Sequence, residues 1–165
     1  MRIAILSDIH DHRHHLATAL ERVRAAGAER LLCLGDLCSP FIVKDLGEGF
    51  DGPIDIVFGN NDGDLFRITR TAAGFDGITL HGEVADLTID GKRFILTHFD
   101  TIATLLAEGG AFDVVCYGHN HRFAVERRVR TLMINPGEVM GGLSGTASFV
   151  LLDTGSMETE RVVIS

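Results

Sequence analysis

Two histidines separated by one residue close the segment DVVCYGHNH, residues 113–121. In an extended chain, residues i and i+2 point the same way, so His119 and His121 can share one pocket. A second pair of this kind stands near the start, where SDIH holds Asp8 and His10. Other residues with ligand chemistry also follow apolar runs. Asp36 follows RLLCL, Asn60, Asn61 and Asp62 follow IDIVF, and His98 follows RFILT. Active sites of α/β sheets lie at the carboxyl ends of the strands. Five strand ends are therefore expected to bring Asp8, His10, Asp36, Asn60, His98, His119 and His121 to one sheet edge. Gly35, Gly59 and Gly118 precede three of these groups and permit sharp turns and close backbone approach.

Two carboxylates, one carboxamide oxygen and four imidazoles are more than one metal ion takes from a protein. Two ions sharing a bridging carboxylate use them all. The mixed nitrogen and oxygen set suits Mn first, and Fe, Co, Ni or Zn; it suits neither a thiolate zinc site nor an all-oxygen calcium site. Two divalent ions outweigh two carboxylates, so the site attracts an anion such as phosphate. Each residue alone has a plainer reading: Asp after a strand caps helices and forms turns, and a lone His is more often exposed. It is the joint, ordered placement that favours metal. His12, close to the site in sequence, is a candidate substrate contact and proton donor, whereas a solvated helix start is the commoner role there. His14, His15 and His81 read as structural or exposed, and Arg127, Arg128 and Arg130 as a solvated strand face.

The positioning elements follow from periodicity. RIAIL (2–6), RLLCL (30–34) and IDIVF (54–58) read as buried strands, and segments 15–27 and 64–74 as helices. Strand, helix, strand in this rhythm indicates α/β with a partly parallel sheet. Asp90-Gly91 between VADLTID and KRFILTH predicts a type I′ hairpin. A short helix is expected over 103–110. Further strands at VVCYG, FAVERRV, TLMIN, SFVLLD and ETERVVI suggest that the chain ends as a β-meander.

With 165 residues and no internal repeat or linker, one domain over 1–165 is expected. The formal net charge of −8 argues against non-specific nucleic-acid binding. No run is apolar enough to span a membrane. The apolar run in MRIAILSDIH is too short for a signal peptide, so a cytoplasmic setting is expected. Three cysteines without CxxC do not suggest a disulfide framework. Cys33 and Cys116 read as core, and Cys38 receives no role.

The ordered blocks SDIH, GD, GNND, THF and GHNH resemble those of the calcineurin-like metallophosphoesterases. The likeness runs from residue 3 to about 137, and NPGE (135–138) looks like the NPGS of the small single-domain prokaryotic phosphodiesterases. The resemblance implies an α/β four-layer αββα sandwich of two mixed β-sheets flanked by helices. It implies that Asp8, His10 and His121 hold one metal, that Asn60, His98 and His119 hold the other, and that Asp36 bridges them. It further implies hydrolysis of a small phosphoester by a hydroxide shared between the metals, with Asn60, Asn61 and His98 at the substrate. A diester is the preferred substrate; a monoesterase or a non-catalytic scaffold of the same fold are the alternatives, and a homo-oligomer is compatible. Three departures stand out. Asn61 replaces a His proposed as proton donor, so catalytic roles fall to Asn61, His98 and His12. Phe99 replaces a usual Gly and is expected to narrow the pocket. Glu138 replaces Ser and is expected either to repel phosphate or to face solvent.

Overall fold

A computed structural model describes residues 1–164. The elements run β1 (Arg2–Leu6), α1 (Arg13–Ala25), β2 (Arg30–Cys33), α2 (Pro40–Gly49), β3 (Ile54–Ile56), α3 (Leu65–Ala72), β4 (Ile78–Leu80), β5 (Val84–Ile89), β6 (Lys92–Thr97), α4 (Asp100–Glu108), β7 (Val114–Cys116), β8 (Ala124–Arg128), β9 (Thr131–Asn135), β10 (Ser148–Asp153) and β11 (Thr159–Val163). They form two mixed sheets, ordered β11-β10-β1-β2-β3-β4 and β5-β6-β7-β9-β8. Strands β1 to β4 are parallel, as are β6, β7 and β9.

Alternation along each strand sorts the core into layers. In β1, Ala4 and Leu6 face the cluster containing Leu16, Leu20 and Val23 of α1, Leu46 of α2 and Ile68 of α3. Ile3 and Ile5 face the other way, into a cluster with Phe94, Leu96, Val114 and Ile134 of the second sheet. Helix α4 covers the far side of that sheet with Ala103 and Ala107, against Ile95, Val115 and Met133. The result is the expected αββα sandwich. Phe94 is among the largest fully buried side chains, and its truncation to Ala would cost about 3–5 kcal/mol.

Two sequence expectations change. The chain does not end as a β-meander: β8 and β9 pair within the second sheet, while β10 crosses to the first and pairs antiparallel with β1. Segment 40–49, which gave no helical signal, is helix α2, with Pro40 in its first turn, where a missing N–H costs nothing. The Asp90-Gly91 turn forms as expected, with φ of 50° and 73°. No helix among the described residues is long and apolar enough to cross a membrane.

Candidate metal centre

The loops after β1, β2, β3, β6 and β7 all lie at the carboxyl ends of parallel strands. Backbone bonds stitch them together. Asp8 N–H donates to Gly35 O, His10 N–H to Asp36 O, and Gly118 N–H to His98 O. Gly59 and Gly118 are required at these crossings: a Cβ at Gly59 would strike the Asp36 carboxylate, and one at Gly118 would strike Ser7 Oγ. The buried Asp62 carboxylate accepts from the backbone N–H groups of Asp36, Leu37, Cys38 and Gly59, locking the β2 loop to the β3 loop. The strand-end placement alone marked Asp62; its bonding role required the folded loops.

Five of the seven candidate ligands adopt left-handed backbone: Asp8 (φ 55°), His10 (45°), Asp36 (54°), His119 (70°) and His121 (60°). Such conformations cost roughly 1–3 kcal/mol each in non-glycine residues and cluster where the surrounding structure overrides local preference.

Four ligand atoms, one each from Asp8, His10, Asp36 and His121, lie within 4.8 Å of one another. Asp36 Oδ2 is 3.4 Å from His10 Nε2 and 3.3 Å from His98 Nε2. Asp8 Oδ1 is 3.5 Å from His121 Nε2. Metal bonds of about 2.1 Å place neighbouring ligand atoms roughly 3.0–3.5 Å apart, so these spacings suit coordination. The other oxygen of Asp8 accepts from His119 N–H at 3.2 Å. Asp8 Oδ1, His10 Nε2 and His98 Nε2 are buried and have no hydrogen-bond partner. Three orphaned polar atoms beside Asp36 would each cost about 1–3 kcal/mol; bound cations would satisfy them, and the donor set fits divalent transition metals.

The tautomers agree. His98 Nδ1 lies 2.7 Å from Leu34 O, which can only accept, so Nδ1 carries the proton and Nε2 keeps its lone pair. His121 Nδ1 lies 2.7 Å from Glu138 Oε2, again leaving Nε2 free toward Asp8. His10 Nδ1 faces Cys38 Sγ at 3.5 Å. Asn60 and His119 are brought together differently: the Asn60 amide oxygen accepts directly from His119 Nδ1 at 2.8 Å. His119 sits beside His98, with ring centroids 5.2 Å apart.

Nearby carboxylates set the charges. Asp8, then Asp36 and Glu138, raise His10 above its ordinary pKa despite burial. Burial pulls His98 down, but Asp36 and the charge of Asp8 outweigh it, and the net shift is upward. Burial pushes Asp36 up, yet the neighbouring His98 imidazole and the hydrogen bonds from Asn61 hold its carboxyl well below the usual range. The Cys38 thiol is pushed up to about 12 by burial and by neighbouring carboxylates, which keeps it protonated.

The remaining residues separate. Asn61 donates through its side-chain amide to Asp36 Oδ2 and through its backbone N–H to Oδ1, both at 2.8 Å, so its hydrogen bonds fix the carboxylate expected to be the bridge. His12 caps α1, its Nδ1 accepting from His15 N–H, and its ring stacks on His15 at 3.8 Å. That structural use takes its Nδ1 out of proton transfer. Phe99 packs against His98 and His119, with centroids 5.4 and 5.2 Å away. Glu138 neither faces solvent nor stands free to repel phosphate. It is fully buried, and it accepts from His121 and from the backbone N–H groups of Leu143 and Ser144. Burial opposes its ionisation, but these donors hold its carboxyl below the usual range. One signal was available for it: NPGE follows TLMIN, a sixth strand end.

The profile of the calcineurin-like phosphoesterase superfamily domain matches residues 1–157. The chain belongs to the calcineurin-like phosphoesterase superfamily. A curated phosphodiesterase of Methanocaldococcus jannaschii is 31% identical over 166 residues, covering 99% of both chains. A solved archaeal phosphodiesterase superposes with a TM-score of 0.93 at 30% identity, covering 99% of each chain. The E. coli phosphoesterase YfcE shares the fold, with a TM-score of 0.69 at 23% identity over the whole of both chains. As a calcineurin-like phosphoesterase of this small type, the chain is a metal-dependent phosphoesterase.

Proposed function

We propose that this calcineurin-like phosphoesterase hydrolyses phosphodiesters at a centre of two divalent metal ions, manganese first among them. The observation that carries this reading is the convergence of orphaned Asp8 Oδ1, His10 Nε2 and His98 Nε2 around Asp36. Asp8, His10 and His121 would hold one ion, Asn60, His98 and His119 the other, and Asp36 both. When bound, the ions supply Lewis acidity, acidifying water and drawing charge from the phosphoryl oxygens.

The chain's own groups orient this chemistry. Glu138 fixes the His121 ring, Leu34 O fixes His98, and Asn61 fixes Asp36. Asn60, Asn61 and His98 border the space where the phosphoryl group would sit. Asn61 offers hydrogen bonds there but no acidic proton, and His98, with Nδ1–H on Leu34 O and Nε2 assigned to an ion, would serve the reaction through that ion and not as an acid. Asn61 offers no acid and the helix cap leaves His12 only its Nε2 for proton transfer, so the weak inventory of acids favours good leaving groups and diesters. The 31% identity to a phosphodiesterase supports the same choice. The reading includes a single domain over 1–165, a small phosphoester substrate and a cytoplasmic setting. The three free cysteines suit a reducing compartment.

The test is a hydrolysis screen of bis-p-nitrophenyl phosphate and p-nitrophenyl phosphate after chelator stripping, with Mn, Ni, Co, Zn or Mg restored singly. Diester turnover that depends on added metal is expected. Turnover unaffected by stripping, or none with any metal, would overturn the proposal.

A further inference from the structure

A cavity of about 610 Å³ lies between α2 and α3, outside the candidate ligand set. Its volume falls in the range of small-molecule sites, about 300–1,000 Å³. Both helices begin where their strands deliver candidate ligands. Pro40 at the rim is four residues beyond Asp36, and Asp64 is four beyond Asn60. Four residues reach at most about 14 Å. The end of the groove at Pro40 and Asp64 therefore lies within about 14 Å of the candidate ligands Asp36 and Asn60.

Its walls combine two chemistries. Phe41 and Phe66 are 63% and 71% exposed, although side chains of this size normally bury their rings. Lys44, Arg67 and Arg70 stand against one lining carboxylate, Asp64, in a chain of net charge −8. Arg67 is paired with Asp64 at 3.4 Å, and Lys44 approaches Glu48 at 3.7 Å. Arg70 lies over the Phe66 ring, 5.9 Å from its centroid. An exposed aromatic face with a guanidinium on it, in a cationic groove beside a phosphoester site, matches a planar base joined to a phosphate.

We propose that the groove between α2 and α3 is a substrate subsite for the base and outer phosphate charge of a nucleotide-containing phosphodiester. The proposal rests on the phosphodiesterase reading above. The scissile phosphate sits at the metal-ligand cluster, the base lies on Phe41 and Phe66, and Arg70 with Lys44 faces further negative charge. Hydrolysis adds water across the ester bond: phosphorus gains the hydroxyl oxygen, and the ester oxygen leaves and takes up a proton. The subsite changes only which ester is held.

The experiment uses manganese-loaded protein and two p-nitrophenyl diesters with the same leaving group, the methyl and the thymidine 5′ esters. Wild type is expected to favour the thymidine ester at least tenfold in kcat/KM. That preference should fall about tenfold or more in the Phe41→Ala/Phe66→Ala double variant, chiefly through KM, on the scale of one stacked base. Both rings are exposed, so the double variant should keep the wild-type melting temperature within a few degrees, on the scale expected of surface substitutions. As a readout independent of variants, AMP should inhibit methyl-ester hydrolysis by wild type at concentrations at least tenfold below those of methyl phosphate.

Equal kcat/KM for the two esters with equal inhibition by AMP and methyl phosphate would overturn the subsite. A double variant that keeps the preference would also overturn it. So would a double variant that changes only self-association by sedimentation, because the rings would then belong to a protein interface. Failure of wild type to hydrolyse either ester would strike the phosphodiesterase reading itself.

Discussion

The two halves of the candidate centre are built to different standards. Asp8 is fully buried, and the side chains of His10 and His121 are 18% and 11% exposed. Glu138 and Cys38 face the Nδ1 atoms of these rings and leave their Nε2 atoms turned inward. In the other half only His98 has such backing, from Leu34 O. Asn60 is exposed and His119 half-buried, and each satisfies the other directly. The first half would offer an ion the Asp8 carboxylate, the Asp36 carboxylate proposed to be shared, and Glu138 behind His121. Asn60 and His119, proposed to hold a second ion, would give up their mutual hydrogen bond to do so, and Asp36 would be the one carboxylate among the ligands of that half. In the two-ion proposal, the first half is thus the better prepared and the second the less so. We expect the first to bind its ion more tightly, by at least tenfold, since outer supports alone are worth about 10–100-fold in metal affinity.

The most severe challenge to both halves together is Asp36→Asn, which removes the charge they share. Activity should fall at least a hundredfold, and neither ion should bind with native affinity in a metal titration. Near-normal turnover with the fold intact by circular dichroism would contradict the bridging assignment. A sharper cut between the halves is Asn60→Ala. Elemental analysis after dialysis should then find close to one manganese per chain where wild type retains close to two. Loss of both ions would mean that the halves are not separable.

Glu138→Gln tests why the first half is the prepared one. Glutamine can still accept from Leu143 and Ser144 N–H but no longer places a charge behind His121. Only the tighter of the two affinities should weaken, by about 10–100-fold, in competition with a chelator. Equal weakening of both, or of neither, would deny Glu138 a role in that half.

Much of this site could be read along the chain because it repeats one device, a polar residue just after a buried strand. Strand β1 falls on residues 2–6 and β10 on 148–153, as read, and the Asp90-Gly91 turn sets the β5–β6 register. What could not be read depends on contacts between distant segments. Gly47 and Gly49 lower helix propensity over 40–49, yet a Cβ at Gly47 would lie 2.5 Å from the Phe75 ring, so packing favours glycine there where propensity argues against it. Glu138 is placed by β9 lying beside β7, a parallel pairing that no local pattern announces. The family pattern places Asn61 at the substrate; its bonds to Asp36 appear only once the β2 and β3 loops meet.

Asn61 accordingly supports Asp36, the carboxylate proposed to bridge the halves. Asn61→Ala removes one charge-assisted bond to Asp36, worth about 1.5–3 kcal/mol, and roughly tenfold in turnover is expected to be lost. In a plot of log rate against leaving-group pKa, wild type and variant should run parallel. A steeper slope in the variant would return Asn61 to the leaving group and separate it from Asp36.

The smallest expected effect compares the centre without and with metal as pH changes. In the metal-free protein His10 and His98 have folded pKa values raised above 6.5, and Asp36 has one lowered below 3.8. A raised histidine stabilises the fold fully below its unfolded value near 6.5, and that contribution is lost as pH rises through the folded value. A depressed carboxyl stabilises above its unfolded value near 3.8, and that contribution is lost as pH falls through the folded one. Both contributions are therefore present together between about pH 4 and 6.5, the metal-free optimum from these groups. Metal reverses the upper limb, because imidazole must be neutral to coordinate and binding releases the protons. Thermal melts from pH 5 to 8.5 should show the metal-free Tm declining by a few degrees above neutrality, while the manganese-saturated Tm rises over the same range. Parallel curves would mean that His10 and His98, one from each half, do not exchange protons for metal, and the proposed ligand sets would lose their chemical basis.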